Sequence, residues 1–337
     1  METYIVEEAI KKIGILIAVG LGEAGSSLIQ TFLNGEGDEL MNAVSMDAVF
    51  GFCDIRNFTD ATEVLQEEVM IFVNSIAEII HTTTDKYIGA ANKNIGDAFL
   101  LVWKVPERVK EDAEENGVDS KSLMTNIADM AFFAILKMYA EINRAPSLLK
   151  YVRNQKLVDR IGKGYKPKLG FGLHYGWAIE GAIGSHHKVD VSYLSPEVNI
   201  AGRLESETKG YGCILLMSGQ FVDLLSPIPR ELTRKVDIVG AKGTHEPLRI
   251  YTANISDKAI KFQDHRPLKQ AVALNKDCYV FKKLIWKEVV EGVMVGASVF
   301  QNDTDIHLLT CYNNPHFYKL FDSGMEAFEK GHWIEAK

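Results

Sequence analysis

The sequence predicts an α+β fold, an antiparallel-rich sheet with helices packed on it as a sandwich. Three observations point there. From residue 48 to residue 253, short apolar runs alternate with amphipathic stretches in the order strand–helix–hairpin, helix, hairpin, helix, strand, short helix, strand pair. Hairpins join antiparallel neighbours, so most of the sheet is antiparallel. The composition, 47% hydrophobic and 24% charged over 337 residues, is that of an ordinary soluble globular protein long enough to bury a sizeable core.

Composition also excludes some functions. A net charge of −8 argues against a nucleic-acid partner. The four cysteines (Cys53, Cys213, Cys278 and Cys311) are widely spaced, with no CxxC and no zinc pattern, so reduced thiols are expected. No apolar run reaches the ~18 residues that cross a bilayer. The N-terminal METYIVEEA is acidic, unlike a signal peptide, and a cytoplasmic, soluble protein is expected.

Residues 1–44 form an N-terminal helical segment, with Ile10, Ile13, Ile17 and Leu21 roughly on one face. It contains Gly20-Leu-Gly22-Glu-Ala-Gly25, a literal GxGxxG. A dinucleotide site wants an acidic residue at the end of the next strand, ~20 positions on. Asp47 precedes that strand and Asp54 comes too late, so close helix packing is favoured and dinucleotide binding stays as a rival. NGEGDE (34–39) is a loop. Val49–Cys53 is a buried strand ending at Asp54, followed by a polar turn and a long amphipathic helix from Thr62 to about Thr83. YIGAANKNIGDAFLLVW gives two strands turning at Lys93 and Asn94, with Asp97 just inside the returning strand. Adjacent strands lie ~4.8 Å apart, so this arrangement brings Asp54 and Asp97 together. Two such carboxylates repel unless a cation sits between them. A pair of Mg²⁺ or Mn²⁺ ions carrying a nucleotide triphosphate meets that need.

Beyond Trp103, PERVKEDAEENGVDSKS is a solvated loop and Leu123–Ile142 a helix. The basic residues from Lys150 to Lys168 mark an exposed connection that could attract an anionic substrate. KLGFGLHYGWAIEGAIGS gives two strands turning near Tyr175-Gly176, with His174 a hydrogen-bonding strand residue. Ser195-Pro196-Glu197 starts a helix, Ser as N-cap and Pro at the first position, which runs to about Lys209. CILLM is a strand, SGQFVDLL a short helix, and RELTRKVDIVG with EPLRIYTAN the closing strand pair. Residues 268–290 and the run from Phe317 are helical.

FCDIRNFTD, KNIGDAF and SYLSPEVNIAGRLES resemble, in order, signature segments of the class III nucleotidyl cyclase catalytic domain, in a soluble-type form seen in protists. The resemblance covers residues 45–253, leaving 254–337 as a mainly helical extension whose last piece is similar to the first helix of a helix-hairpin repeat. It implies a ferredoxin-like sandwich that makes a 3′,5′-cyclic nucleotide and pyrophosphate with two Mg²⁺ or Mn²⁺ ions per site. Asp54, Asp97 and the Ile55 carbonyl are then the metal ligands. The turn Arg56–Thr59, with Phe58 and Thr59 opening a helix, meets the phosphates. Asn199 and Arg203, one helical turn apart, orient the ribose and stabilise charge on the transferring phosphoryl group. Glu205 and Glu207 are expected as surface charges.

Lys93 corresponds to a lysine that donates to adenine in adenylyl cyclases, and Ser192 to the second base-reading position. A hydroxyl both donates and accepts, so ATP is favoured while GTP stays open. Lys242 corresponds to a lysine on the triphosphate. The family's site lies between two catalytic domains, and this chain carries both residue sets, which implies a head-to-tail homodimer. The alternatives are a guanylyl cyclase and a non-catalytic subunit that joins a larger assembly through its terminal helices.

Overall fold

A computed structural model describes residues 4, 6–14, 43–185, 188–240, 247–261 and 270–334. Gly20–Gly25 and Lys242 lie outside the described residues. In chain order the elements are β1 (Val44–Ile55), α1 (Phe58–Leu65), α2 (Val69–Lys86), β2 (Ala90–Ile95), β3 (Ala98–Trp103), α3 (Glu107–Glu115), α4 (Ser120–Arg144), α5 (Pro146–Val152), α6 (Gln155–Ile161), β4 (Leu169–Ser185) and β5 (Lys188–Leu194). They continue with α7 (Pro196–Tyr211), β6 (Leu215–Ser218), α8 (Gly219–Val222), α9 (Pro227–Glu231), β7 (Thr233–Val239), β8 (Leu248–Ala253), α10 (Gln270–Val290), α11 (Val295–Asn302), α12 (Thr304–Thr310) and α13 (Pro315–Glu329).

The sheet has the order β2-β3-β1-β4-β6-β8-β7, with β5 paired to the far half of β4. Among the described residues only the β4–β6 pairing is parallel. The alternation of β1 sorts the two faces. Val49, Cys53 and Ile55 join the core under α2 and α4, whereas Ala48 and Phe50 face the side covered by α7. Asp54 and Arg56 share the parity of Phe50, so the sequence register alone sends them to the α7 side.

Helix α7 lies close against the sheet because the matching face of β4 is nearly bare. A Cβ at Gly172 would fall on the Ala201 carbonyl and the Glu205 amide of α7, and one at Gly176 would meet Glu197. Gly172→Val is therefore expected to cost about 3 kcal/mol by overpacking. Urea denaturation checks this, and a variant with the wild-type midpoint would contradict it.

Several expectations change. The helix expected from Thr62 to Thr83 is two helices, because Gln66 takes a left-handed φ of 47° at the end of α1. The first hairpin turns at Gly96-Asp97, not at Lys93-Asn94: Ile95 pairs with Ala98, and Gly96 supplies the positive φ of 67°. Lys93 is thus a strand residue. The charged stretch after Trp103 contains α3, anchored by buried Ala113. The basic connection folds as α5 and α6, and Arg160 is paired to Asp60 at 2.8 Å and Glu63 at 2.6 Å on α1. β4 is one 17-residue strand through Tyr175-Gly176, its glycines serving helix packing instead of a turn. Cys53 is buried, Cys213 partly so, and Cys311 exposed.

Helix α4 is long and apolar enough to cross a membrane by length and composition, but it is the central core helix, with 89% of its most apolar stretch buried. The C-terminal helices cover it. Phe300 of α11 packs against Phe132 and Phe133 at 5.5 and 5.2 Å between ring centroids. Asp129, buried on α4, accepts hydrogen bonds from the Ser226 amide at 3.0 Å and hydroxyl at 2.5 Å, and burial pushes its carboxyl up to about 6.

Candidate active site

Asp54 stands opposite Ala98 in the β1–β3 ladder, which makes Asp97 in the adjoining turn its neighbour. The Ile55 amide donates to the Asp97 carbonyl at 3.2 Å, tying the turn to the strand end. Burial pushes the Asp54 carboxyl up, and the Asp97 charge pushes it further; Lys209 and Arg56 pull the other way. Lys209 Nζ lies 3.9 Å from Asp54 Oδ1 with most of its side chain in solvent. The expected carboxylate pair is thus adjacent and electrostatically unfavourable on its own.

This donor set fits a hard divalent cation. Two carboxylates offer anionic oxygens, and the Ile55 carbonyl points to the same side of the strand as its bonded amide. Among the described residues no group of three or more His, Cys, Asp and Glu side chains forms a metal cage. Two carboxylates alone leave most coordination positions for water and phosphate oxygens, as Mg²⁺ prefers in nucleotide sites. Phe58 and Thr59 open α1, whose N-cap Asn57 takes a left-handed φ of 56° and makes no side-chain cap bond. Phe58 is half-buried and Thr59 exposed.

Helix α7 presents two faces. Its outer face carries exposed Asn199 and Arg203, which with Gly202, Ser206 and Glu207 line an open depression of about 340 Å³. Its inner face carries Glu205 and Thr208. Glu205 is buried instead of lying on the surface: its carboxylate meets the Arg56 guanidinium at 3.1 Å. Sequence alone gives no sign of this, because the partners are 149 residues apart. The Ser195 cap forms as expected, accepting from the Glu197 amide at 3.1 Å. His174, fully buried on β4, is hydrogen-bonded through Nε2 to Glu197 at 2.6 Å and fixes the helix start. Burial holds the imidazole below its usual range, against the pull of Glu197.

Lys93 and Ser192, the positions expected to read the base, lie on strands joined by polar contacts. Lys93 Nζ pairs with Asp190 of β5 at 2.7 Å, and the Asn92 side chain donates to the Val191 carbonyl at 3.4 Å. This draws β2 against β5, where Ser192 sits half-buried. Asp190 and Lys209 are additions that the sequence analysis missed; both are charged groups meeting partners far away in sequence.

Comparison with known proteins identifies the family and the fold. The family model of the adenylate and guanylate cyclase catalytic domain matches residues 41–254. A second model, the RasGEFs all helical domain, matches residues 1–34. The chain is 27% identical over 204 residues to an adenylate cyclase of Anabaena cylindrica, a match covering 59% of this chain and 35% of that protein. It is 23% identical over 283 residues to the terminal-differentiation specific adenylate cyclase of Dictyostelium discoideum, covering 82% of this chain and 12% of that one. The chain thus spans about a third or less of these two relatives. Its fold is similar to that of a bacterial light-regulated adenylyl cyclase, with a TM-score of 0.55, 20% identity, and coverage of 85% of this chain and 69% of the other.

Proposed function

The chain belongs to the adenylate and guanylate cyclase catalytic domain family, and from that premise we propose that it converts ATP to cyclic AMP and pyrophosphate at a site shared by two copies. The observation that carries this reading is the adjacency of Asp54 and Asp97, a carboxylate pair whose mutual repulsion calls for divalent cations. Asp54, Asp97 and the Ile55 carbonyl would hold two Mg²⁺ or Mn²⁺ ions. When bound, such ions lower the pKa of the ribose 3′-hydroxyl and neutralise the triphosphate.

The chain's own groups supply the rest. The first amides of α1, at Phe58 and Thr59, would donate to phosphate oxygens, as N–H groups at a helix start do. Arg203 presents a planar guanidinium fork to the transferring phosphoryl group, while Asn199 one turn earlier orients the ribose. Lys93 donates to the adenine edge, held in place by Asp190, and the Ser192 hydroxyl completes base recognition. Lys242 is assigned to the triphosphate from its sequence context. The outer placement of Asn199 and Arg203, turned away from the Arg56 and Glu205 side of their own helix, favours a head-to-tail pair in which each copy completes the other's site.

The test is to incubate the protein with ATP or GTP in Mg²⁺ and separately in Mn²⁺, quantifying both cyclic nucleotides. Cyclic AMP is expected in excess over cyclic GMP, and Lys93→Glu is expected to reverse or erase that preference. A wild-type preference for GTP would overturn the base assignment and leave the cyclase. Silence with both nucleotides from a dimeric sample would favour the non-catalytic, assembly role.

A further inference from the structure

We propose that Arg56 is a positioning residue that locks the metal-carrying end of β1 to helix α7, and so couples the two sites of a head-to-tail pair. The inference rests on the shared-site reading above. Arg56 lies in the turn that meets the triphosphate, where a guanidinium would be expected to reach for phosphate. Instead it is turned inward, with its side chain only 15% exposed. Its Nη2 lies 3.1 Å from the Glu205 carboxylate, donates to the Thr208 hydroxyl and reaches the Glu205 carbonyl at 3.5 Å. The Thr208 hydroxyl in turn donates to that same carbonyl. The Arg56 amide donates to the Lys168 carbonyl at 2.9 Å, so the backbone and Nη2 are both committed within the fold, while Nη1 is buried without a hydrogen bond.

The surroundings are shaped for this contact. A Cβ at Gly170, the residue opposite Asp54 in the β1–β4 ladder, would collide with both the guanidinium and the Glu205 carboxylate. Glycine there leaves the corridor through which Arg56 crosses to α7. A buried ion pair of this kind is sensitive to loss of one partner, since the other charge is left uncompensated, and a lysine ammonium does not reproduce the fit of a planar guanidinium in that corridor.

The consequence follows from the two faces of α7. Asp54, two residues before Arg56, belongs to one site; Asn199 and Arg203, on the opposite face of the helix Arg56 holds, belong to the other. One side chain therefore sets the relation between a copy's own metal end and the group it lends to its partner. A shift of about 1 Å in such groups is enough to lower turnover by two orders of magnitude.

Heterodimers test this. Copies carrying Arg203→Ala and copies carrying Asp54→Ala, with different affinity tags, are purified as mixed pairs. Each pair has one intact site, built from the aspartates of the first copy and the Arg203 of the second. Arg56→Lys is then added to the first copy alone or to the second alone. The expected result is a fall in kcat of about tenfold or more from either position, with KM for ATP changed by less than about threefold. Thr208→Val, which removes the hydroxyl's two hydrogen bonds and no charge, is expected to give the same two-sided pattern at about threefold.

A loss confined to the first copy with a raised KM would make Arg56 a phosphate ligand and overturn the proposal. A loss confined to the second copy, or none from either, would overturn it as well. Mixed pairs that are inactive before Arg56 is touched would refute the shared site itself, which distinguishes that failure from failure of the lock.

Discussion

Asp54→Asn is expected to abolish cyclic nucleotide formation while raising the melting temperature of the metal-free protein. Both effects come from the same carboxylate. Asp54 sits half-buried beside Asp97, and its charge is disfavoured first by burial and then by that neighbour. Lys209, 3.9 Å away and largely solvated, offsets this only weakly. Removing the charge relieves the repulsion that the proposed cations would otherwise offset. The loss of activity should be at least about a hundredfold, the scale of losing one preorganised electrostatic group in a reacting centre. The pair of readouts separates this from simple unfolding, which would lower both. Mg²⁺ should raise the wild-type melting temperature and leave the variant unchanged, because a ligand stabilises only the state that binds it. A variant that melts below the wild type in the absence of metal would contradict the account.

Asp305→Ala is expected to cost about 3–5 kcal/mol, through a different mechanism. Asp305 of α12 is buried between Lys137 and Arg144 of α4, both of which bond its carboxylate. Asp303 adds a further contact to Lys137 at 3.0 Å. Removing Asp305 leaves two largely buried cations without their main counter-charge, at the place where the C-terminal helices cover α4. Burial alone would raise the Asp305 carboxyl, but hydrogen bonds from Arg144 and Lys137 win and hold it below the usual carboxylate value. A depressed folded value means the contribution is present above the unfolded pKa and is lost as pH falls through the folded one. Wild type and variant should therefore converge in stability below about pH 4 and differ most near neutrality. Urea unfolding across that range checks it, and an equal difference at every pH would rule out the ionised pair as its source.

The strand–helix–hairpin that joins Asp54 to Asp97 was legible because its apolar runs are short, alternate clearly and end on acids. The Ser195-Pro196 start of α7 was legible for the same reason, its cap chemistry being entirely local. The turn of the first hairpin was displaced because Lys93-Asn94 has turn-like polarity, while the positive φ that closes the loop belongs to Gly96. Tyr175-Gly176 resembles a turn in sequence, but its glycine is one of a row on β4 that admits α7. That function shows only once the helix is in place. Glu205 illustrates the deeper limit. Its neighbours Ser206 and Glu207 are solvent-facing, and nothing local distinguishes it from them. Its burial depends on Arg56, which the fold brings across β4 from the far end of the domain. Side chains whose role is set by a distant partner are invisible to periodicity, and Lys209 and Asp190 escaped for that reason.

The central claim, that one site is assembled from two copies, is tested most directly by complementation. Asp54→Ala and Arg203→Ala chains are each expected to be inactive alone, since every site in either homodimer lacks one essential group. After the two are mixed and allowed to exchange, about half of the dimers are mixed and each has one intact site, so about a quarter of wild-type cyclic AMP formation should return. Activity that stays at the level of the separate variants, with exchange into mixed dimers verified, would contradict a shared site and place both residues in the same copy's centre.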